Sequence, residues 1–78
     1  MARLLLFGPA REAAGVSSVI LPGHDVAGII AAAEERFGDA FVQILATSKV
    51  WLNGDTVDAD ATVNDNDEVA VIPPVSGG

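Results

Sequence analysis

A single amphipathic stretch between residues 25 and 38 limits what this chain can fold into. Apolar side chains recur there at helical spacing and form one stripe: Val26, Ile29, Ile30, Ala33 and Phe37. Asp25 precedes the stripe as a good N-cap, and Gly38 follows it where glycine commonly ends a helix. The sequence therefore predicts one main helix. Gly28 weakens it, and we expect this glycine where the helix lies close against a sheet.

The apolar segments before this helix predict two strands, at residues 2–8 and 17–21. Residues 10–14 between them predict a short helical turn or a loop. Such a strand, short connection and second strand favour an antiparallel hairpin.

The segments after the helix predict one further short helix and three strands, at residues 40–46 (helix), 49–52, 56–57 and 68–72. Asn53 and Gly54 separate two of these strands. This pair is typical of a type I′ hairpin turn, in which both central residues have positive φ.

The order of elements indicates the fold class. Strand, strand, helix, strand, short strand and strand fit an α+β chain of the β-grasp type. We expect a mixed four- or five-stranded sheet, with the main helix across one face and the first and last strands as central neighbours. The predicted organisation is one domain at residues 1–72 and an extended, flexible C-terminal tail at residues 73–78.

The tail has an unusual composition. Pro73 and Pro74 end the last strand because neither ring nitrogen can donate a ladder hydrogen bond. Gly77 and Gly78 lack a Cβ, so they can pass through a slot too narrow for other residues. One interpretation is a frayed chain end. We favour the other, in which the carboxylate of Gly78 is a reactive group presented to another protein.

Several strands are apolar on both faces, although one helix covers only one. Alternation assigns five residues to the uncovered face: Leu5, Phe7, Trp51, Ala70 and Ile72. A large exposed apolar patch indicates a protein partner. The alternative is that some of these residues are core and that the short helix covers others.

Charge and composition exclude several functions. The chain has 11 acidic and 4 basic residues, a net charge of −7, which disfavours nucleic acid and anionic membranes as partners. The charge suits either a basic protein partner or simple solubility. There are no cysteines and no apolar run long enough to span a membrane, so we expect a soluble cytoplasmic protein.

Neither metal binding nor catalysis by the chain itself is predicted. The acidic stretch at residues 58–67 lacks calcium-loop spacing, because Val63 and Val69 stand where glycine and glutamate are needed. His24 is the only histidine, and no nucleophile accompanies it in the sequence.

The motifs together resemble the small subunits of molybdopterin synthase, which are ubiquitin-like β-grasp sulfur carriers. The resemblance runs from end to end and is carried by Phe7, Arg11-Glu12, Gly15, Asn53-Gly54, Asp67-Glu68-Val69-Ala70 and the ending Pro73-Pro74-Val75-Ser76-Gly77-Gly78. On spacing alone, Arg11 is either half of an exposed ion pair or a ligand for a partner's carboxylate. The resemblance favours the second role.

The resemblance implies a mechanism centred on the last two residues, Gly77 and Gly78. An E1-like activating enzyme would adenylate Gly78 with its own ATP and Mg²⁺, and sulfur would then replace AMP to give a thiocarboxylate. This end would enter the large synthase subunit, in a heterotetramer, and give sulfur to cyclic pyranopterin monophosphate. The chain itself would bind no cofactor. Partner contacts are expected from Phe7, Arg11, Ile72, Pro73, Pro74, Val75 and Ser76.

Two other functions share the fold and the Gly-Gly ending. One is a sulfur carrier for thiamine or cysteine synthesis. The other is a ubiquitin-like modifier joined to lysines of target proteins.

Overall fold

The structure, a computed structural model, describes residues 1–74. Val75, Ser76, Gly77 and Gly78 therefore lie outside the described residues, and with them most of the predicted tail. The described part contains five strands and three helices: β1 (Ala2–Leu6), α1 (Gly8–Ala14), β2 (Ser18–Leu21), α2 (Val26–Phe37), α3 (Asp39–Leu45), β3 (Lys49–Leu52), β4 (Asp55–Thr56) and β5 (Glu68–Ile72).

The five strands form one mixed sheet in the order β2-β1-β5-β3-β4. β1 and β5 lie at its centre and run parallel, while the other neighbouring strands are antiparallel. The predicted hairpin of β1 and β2 and the central pairing of the first and last strands are both confirmed. The fold is a β-grasp.

The core lies between one face of the sheet and the helices. Alternate residues of β1 and β5 point into it, and so does the stripe of α2; the buried members are Leu4, Leu6, Val69, Val71, Val26, Ile29 and Ala33. The predicted short helix is confirmed as α3, which begins and ends one residue earlier than predicted, and its Phe41 is fully buried in the same cluster. Each large side chain buried in this way contributes about 1.5–3 kcal/mol.

Both predicted ends of α2 are confirmed. The Asp25 carboxylate accepts a hydrogen bond from the Gly28 N–H at 2.7 Å. Gly38, at φ 86°, donates its N–H to the Glu34 carbonyl at 2.9 Å. The expectation for Gly28 was wrong. A Cβ there would lie 3.0 Å from the Asp25 carboxylate and 3.5 Å from the Gly23 Cα, so Gly28 faces the loop before the helix rather than the sheet.

The 58–67 stretch is tied to the start of α2. The Ala27 N–H donates to the Ala59 carbonyl at 2.8 Å, and the Val26 N–H donates to the Ala61 carbonyl at 3.0 Å. The first N–H groups of a helix have no partner within the helix. This turn-rich stretch therefore satisfies donors that would otherwise need water.

Three predicted strands have bounds that differ from the structure by one or two residues; β2, for example, begins at Ser18 rather than at residue 17. The hairpin turn itself has the predicted geometry, with Asn53 at φ 51° and Gly54 at φ 89°. Because Leu52 pairs directly with Asp55, the return strand is β4 rather than residues 56–57. β1 ends at Leu6 rather than at residue 8, because α1 begins at Gly8. No helix in the described part of the chain combines the length and apolarity needed to cross a membrane.

Candidate docking site at the base of the tail

Phe7 and Ile72 lie together at the end of the sheet from which the tail departs. Leu6 and Val71 form the last register pair of the parallel β1 and β5, so Phe7 and Ile72 are the next residues of two adjacent segments. Phe7 is 48% exposed and Ile72 is 36% exposed. Two large apolar side chains are thus open to solvent beside the tail.

The local structure of Phe7 does not explain why a phenylalanine stands there. Phe7 is the N-cap of α1, in extended backbone at φ −128° and ψ 151°, and its side chain makes no capping hydrogen bond. Its carbonyl accepts from the Ala10 N–H at 3.1 Å, which any residue could provide. Serine, threonine, aspartate or asparagine would cap the helix better. The fold alone therefore does not explain an exposed aromatic side chain at this position.

Two cationic side chains flank this apolar pair. Arg11 lies one helical turn after Phe7, and Lys49 is the register partner of Ile72 on β3. Both are exposed, and neither forms an ion pair within residues 1–74. Two of the chain's four basic residues therefore lie near Phe7 and Ile72 without an ion pair among residues 1–74. We call Phe7, Ile72, Arg11 and Lys49 the tail-exit patch.

Lys49 was missed by the sequence reasoning. Its place in the patch depends on the β3–β5 register, which no local motif reveals. The ion pair considered for Arg11 with Glu12 does not occur in the described residues.

The face of the sheet opposite the core carries the other apolar residues that alternation predicted. Leu5, Ala70 and Trp51 form one row across β1, β5 and β3. All three are partly exposed, and none belongs to the core cluster. The alternative of a short helix over this face is wrong, because α3 packs its Phe41 into the core on the other side. The Trp51 indole N–H is buried and has no acceptor among residues 1–74.

The two prolines at the base of the tail differ in exposure. Pro73 is buried and Pro74 is exposed. Pro73 follows β5 directly and fixes where the chain leaves the sheet, whereas the ring of Pro74 is accessible to solvent. The remaining predicted contacts, Val75 and Ser76, and the predicted reactive Gly77 and Gly78 lie outside the described residues.

Acidic groups gather at the opposite end of β5. Hydrogen bonds from the Asn64 N–H, at 2.8 Å, and from the Asn53 amide, at 3.0 Å, lower the pKa of Asp67. The N-terminal ammonium group hydrogen-bonds to Asp65 and lowers the pKa of that carboxyl too. Among residues 1–74, no three histidine or acidic side chains are placed to hold a metal ion.

Comparison with known proteins places the chain in a family. A sequence model of the ThiS family matches residues 4–78. The chain belongs to this family. Its fold is that of the small, ubiquitin-like sulfur carriers, and the match includes the residues that follow Pro74.

Solved structures similar to this ThiS-family chain come from several systems. Small archaeal modifier protein 1 of Methanosarcina acetivorans has a TM-score of 0.89 at 23% identity, covering 99% of this chain and 95% of that one. A chain of the BexX/CysO complex of Amycolatopsis orientalis has a TM-score of 0.85 at 24% identity, with 100% of both chains covered. The putative molybdopterin converting factor subunit 1 of Pyrococcus furiosus has a TM-score of 0.80 at 28% identity, covering 95% of this chain and 97% of that one.

Proposed function

We propose that this chain is the sulfur-carrier subunit of a molybdopterin synthase. Its body docks on a large subunit and its C-terminal Gly78 carries the sulfur. The tail-exit patch is the observation that carries the proposal, because it puts exposed apolar and cationic groups at the base of a Gly-Gly ending. The 28% identity to a putative molybdopterin converting factor subunit supports it.

The chemistry is confined to the end of the chain. A free carboxylate is a poor acyl donor, so a separate activating enzyme adenylates Gly78 with ATP and Mg²⁺. A sulfur nucleophile then attacks the acyl carbon and AMP leaves, which gives a thiocarboxylate. The thiocarboxylate is ionised at neutral pH and is a soft nucleophile. It delivers its sulfur to cyclic pyranopterin monophosphate within the large subunit.

The folded part of the chain positions the C-terminal end and takes no part in the chemistry itself. The two residues without a Cβ reach into a narrow site, while Phe7 and Ile72 anchor the body outside it. Arg11 and Lys49 hold carboxylates of the large subunit, and a guanidinium can do so through two parallel hydrogen bonds. Binding and sulfur transfer are thereby coupled, because the tail enters the active site of the large subunit only when the tail-exit patch is bound to that subunit.

Two alternative functions are each supported by a particular similar structure. The similarity to a chain of the BexX/CysO complex favours a carrier that serves another sulfur pathway, as in thiamine or cysteine synthesis. The similarity to a small archaeal modifier protein favours conjugation to other proteins. In both cases Gly78 is again the activated residue.

Intact-mass analysis of the protein isolated from its own cells separates carrier from modifier. A carrier shows the mass increase of one oxygen replaced by sulfur at Gly78, whereas a modifier appears in isopeptide-linked adducts on lysines. Growth of a strain that lacks the molybdopterin synthase small subunit then separates the pathways. Rescue of molybdoenzyme activity supports the proposal. Rescue of only a thiamine or cysteine requirement in matched strains would contradict it.

A further inference from the structure

The side chain of Asn53 is held at both ends by the neighbouring strand segment. Its Oδ1 accepts from the Glu68 N–H at 2.9 Å, and its Nδ2 donates to the Asp67 carboxylate at 3.0 Å. The Asn53 N–H also donates to the Glu68 carbonyl at 2.9 Å. We call these contacts of Asn53 with Asp67 and Glu68 the amide clip.

The residue after Asn53 makes this amide chemically vulnerable. The backbone nitrogen of a following residue can attack the asparagine Cγ, and glycine hinders this attack least because it has no Cβ. Gly54 is that residue here. Attack forms a five-membered succinimide and releases ammonia. Water then opens the ring at either carbonyl, leaving aspartate or isoaspartate; the net change is one water gained and one ammonia lost.

We propose that Asn53 is a deamidation site that the amide clip protects in the folded protein. Attack by the Gly54 nitrogen needs the Asn53 Cγ to turn toward the chain's own backbone. The clip holds the amide against β5 instead, so the site reacts only when these hydrogen bonds open.

The product of this reaction cannot rebuild the hydrogen bond to Asp67 in the amide clip. Deamidation replaces the Nδ2 donor with a carboxylate oxygen, which would face the Asp67 carboxylate where a hydrogen bond of 3.0 Å now exists. Two like charges at this distance repel each other. Deamidation therefore loosens the β3–β4 turn from β5. The site lies at the end of β3 opposite Lys49, so the tail-exit patch is not touched directly.

The rate of deamidation at Asn53 tests the proposal. Isoaspartate and aspartate at position 53 are followed by peptide mapping of the intact, folded protein during incubation at mildly alkaline pH. We expect the urea-unfolded chain to react fastest. In the folded state, Asp67→Ala should react roughly tenfold faster than the wild type, because one clip hydrogen bond is lost. Asp60→Ala removes an exposed charge outside the clip and should react at the wild-type rate.

Three results would overturn the proposal. One is an equal rate in folded and unfolded wild-type protein. Another is the absence of reaction at Asn53 in the unfolded chain. The third is an Asp67→Ala rate equal to that of the wild type.

The consequence of modification is tested separately, by variants that need no incubation. Asn53→Asp should raise the unfolding equilibrium constant roughly tenfold. Gln43→Glu, an amide-to-acid change at an exposed position of α3, should change it by less than about threefold. Adding Asp67→Asn to Asn53→Asp restores a donor and an acceptor to the pair and should recover most of the loss. Equal effects of Asn53→Asp and Gln43→Glu, or no recovery in the double variant, would overturn the like-charge explanation.

Discussion

Phe7 occupies a helix N-cap that a polar residue would serve better, and its aromatic ring is half exposed. A residue that contributes little to the core and forgoes a capping hydrogen bond is free to be selected for contact with another molecule. Ile72 likewise lies outside the core, because it ends β5 on the face turned away from the helices. At this scale, the two residues beside the tail are surface residues in the free chain.

Replacing Phe7 with glutamate should weaken binding to the large synthase subunit without disturbing the fold. Loss of an aromatic anchor costs about 10- to 100-fold in affinity when the side chain is central to an interface. Stability should change by no more than about 0.5 kcal/mol, because Phe7 is outside the core. Val42→Glu is the matched control, since Val42 is also an exposed apolar residue, at 37%, but lies on α3. Binding is measured calorimetrically and folding by circular dichroism; unfolding of the Phe7 variant would show that the residue is core.

Asp67 should make stability depend on acid pH. Its pKa in the folded chain lies below the ordinary value of 3.8, because the Asn64 N–H and the Asn53 amide donate to the carboxylate. A lowered folded pKa contributes stability that is complete above the unfolded pKa and is lost as the pH falls through the folded one. The urea midpoint should therefore drop less on acidification in Asp67→Asn than in the wild type. Asp60→Asn should follow the wild-type curve; identical curves for all three proteins would remove Asp67 from the explanation.

At the scale of elements, the entry into α2 depends on a close contact between backbones. A Cβ at Gly23 would lie 2.8 Å from the Ile29 nitrogen and 2.9 Å from the Ile29 Cδ1. The loop before α2 thus folds over the first turns of the helix. The Asp25 cap and the hydrogen bonds from residues 58–67 hold the same region.

Gly23→Ala should be strongly destabilising. Its new Cβ meets helix backbone that cannot turn away, so we expect a loss of about 2 kcal/mol or more in the free energy of unfolding. Gly28→Ala is the informative contrast, because its nearest obstacle is the Asp25 carboxylate at 3.0 Å, which can move. There, gained helix propensity offsets a weakened cap, and the net change should be within about 1 kcal/mol. Urea unfolding of both variants measures the difference, and equal losses would contradict it.

Elements that are specified by short sequence motifs were predicted well from the sequence. The apolar stripe, cap and terminal glycine of α2 are local features, and so is the Asn53-Gly54 turn. The start of α1 was not predicted, because Phe7 gives no capping motif to mark it. The prediction for Gly28 was wrong because its neighbours depend on how residues 22–25 fold back over the start of α2, which no local motif indicates. Lys49 required the register of two distant strands, so its place in the tail-exit patch could not be read from the sequence.

At the scale of the whole molecule, several charged groups lie at opposite ends of the sheet. Asp65 and Asp67 lie at the end of the sheet where β5 begins, and Arg3 is paired with Glu68 there, whereas Arg11 and Lys49 lie near the end where β5 finishes. In a chain of net charge −7, this leaves the body acidic while the docking end carries free cations. Under the proposed function, such a distribution favours an approach of this end toward acidic groups on the large subunit.

The proposed function requires a free carboxylate at Gly78, so a chain extended beyond this residue should be inactive while remaining folded. One added residue converts the carboxylate into an amide that the activating enzyme cannot adenylate. We expect no thiocarboxylate by intact mass and no rescue of a strain that lacks the small subunit. The thermal unfolding temperature and the binding through Phe7 should both be unchanged. An extension that a specific protease removes, leaving Gly78 terminal, is the control, and cleavage in vitro should restore activation. An uncleaved extended chain that supports cofactor synthesis as well as the native one would show that the chemistry does not take place at Gly78.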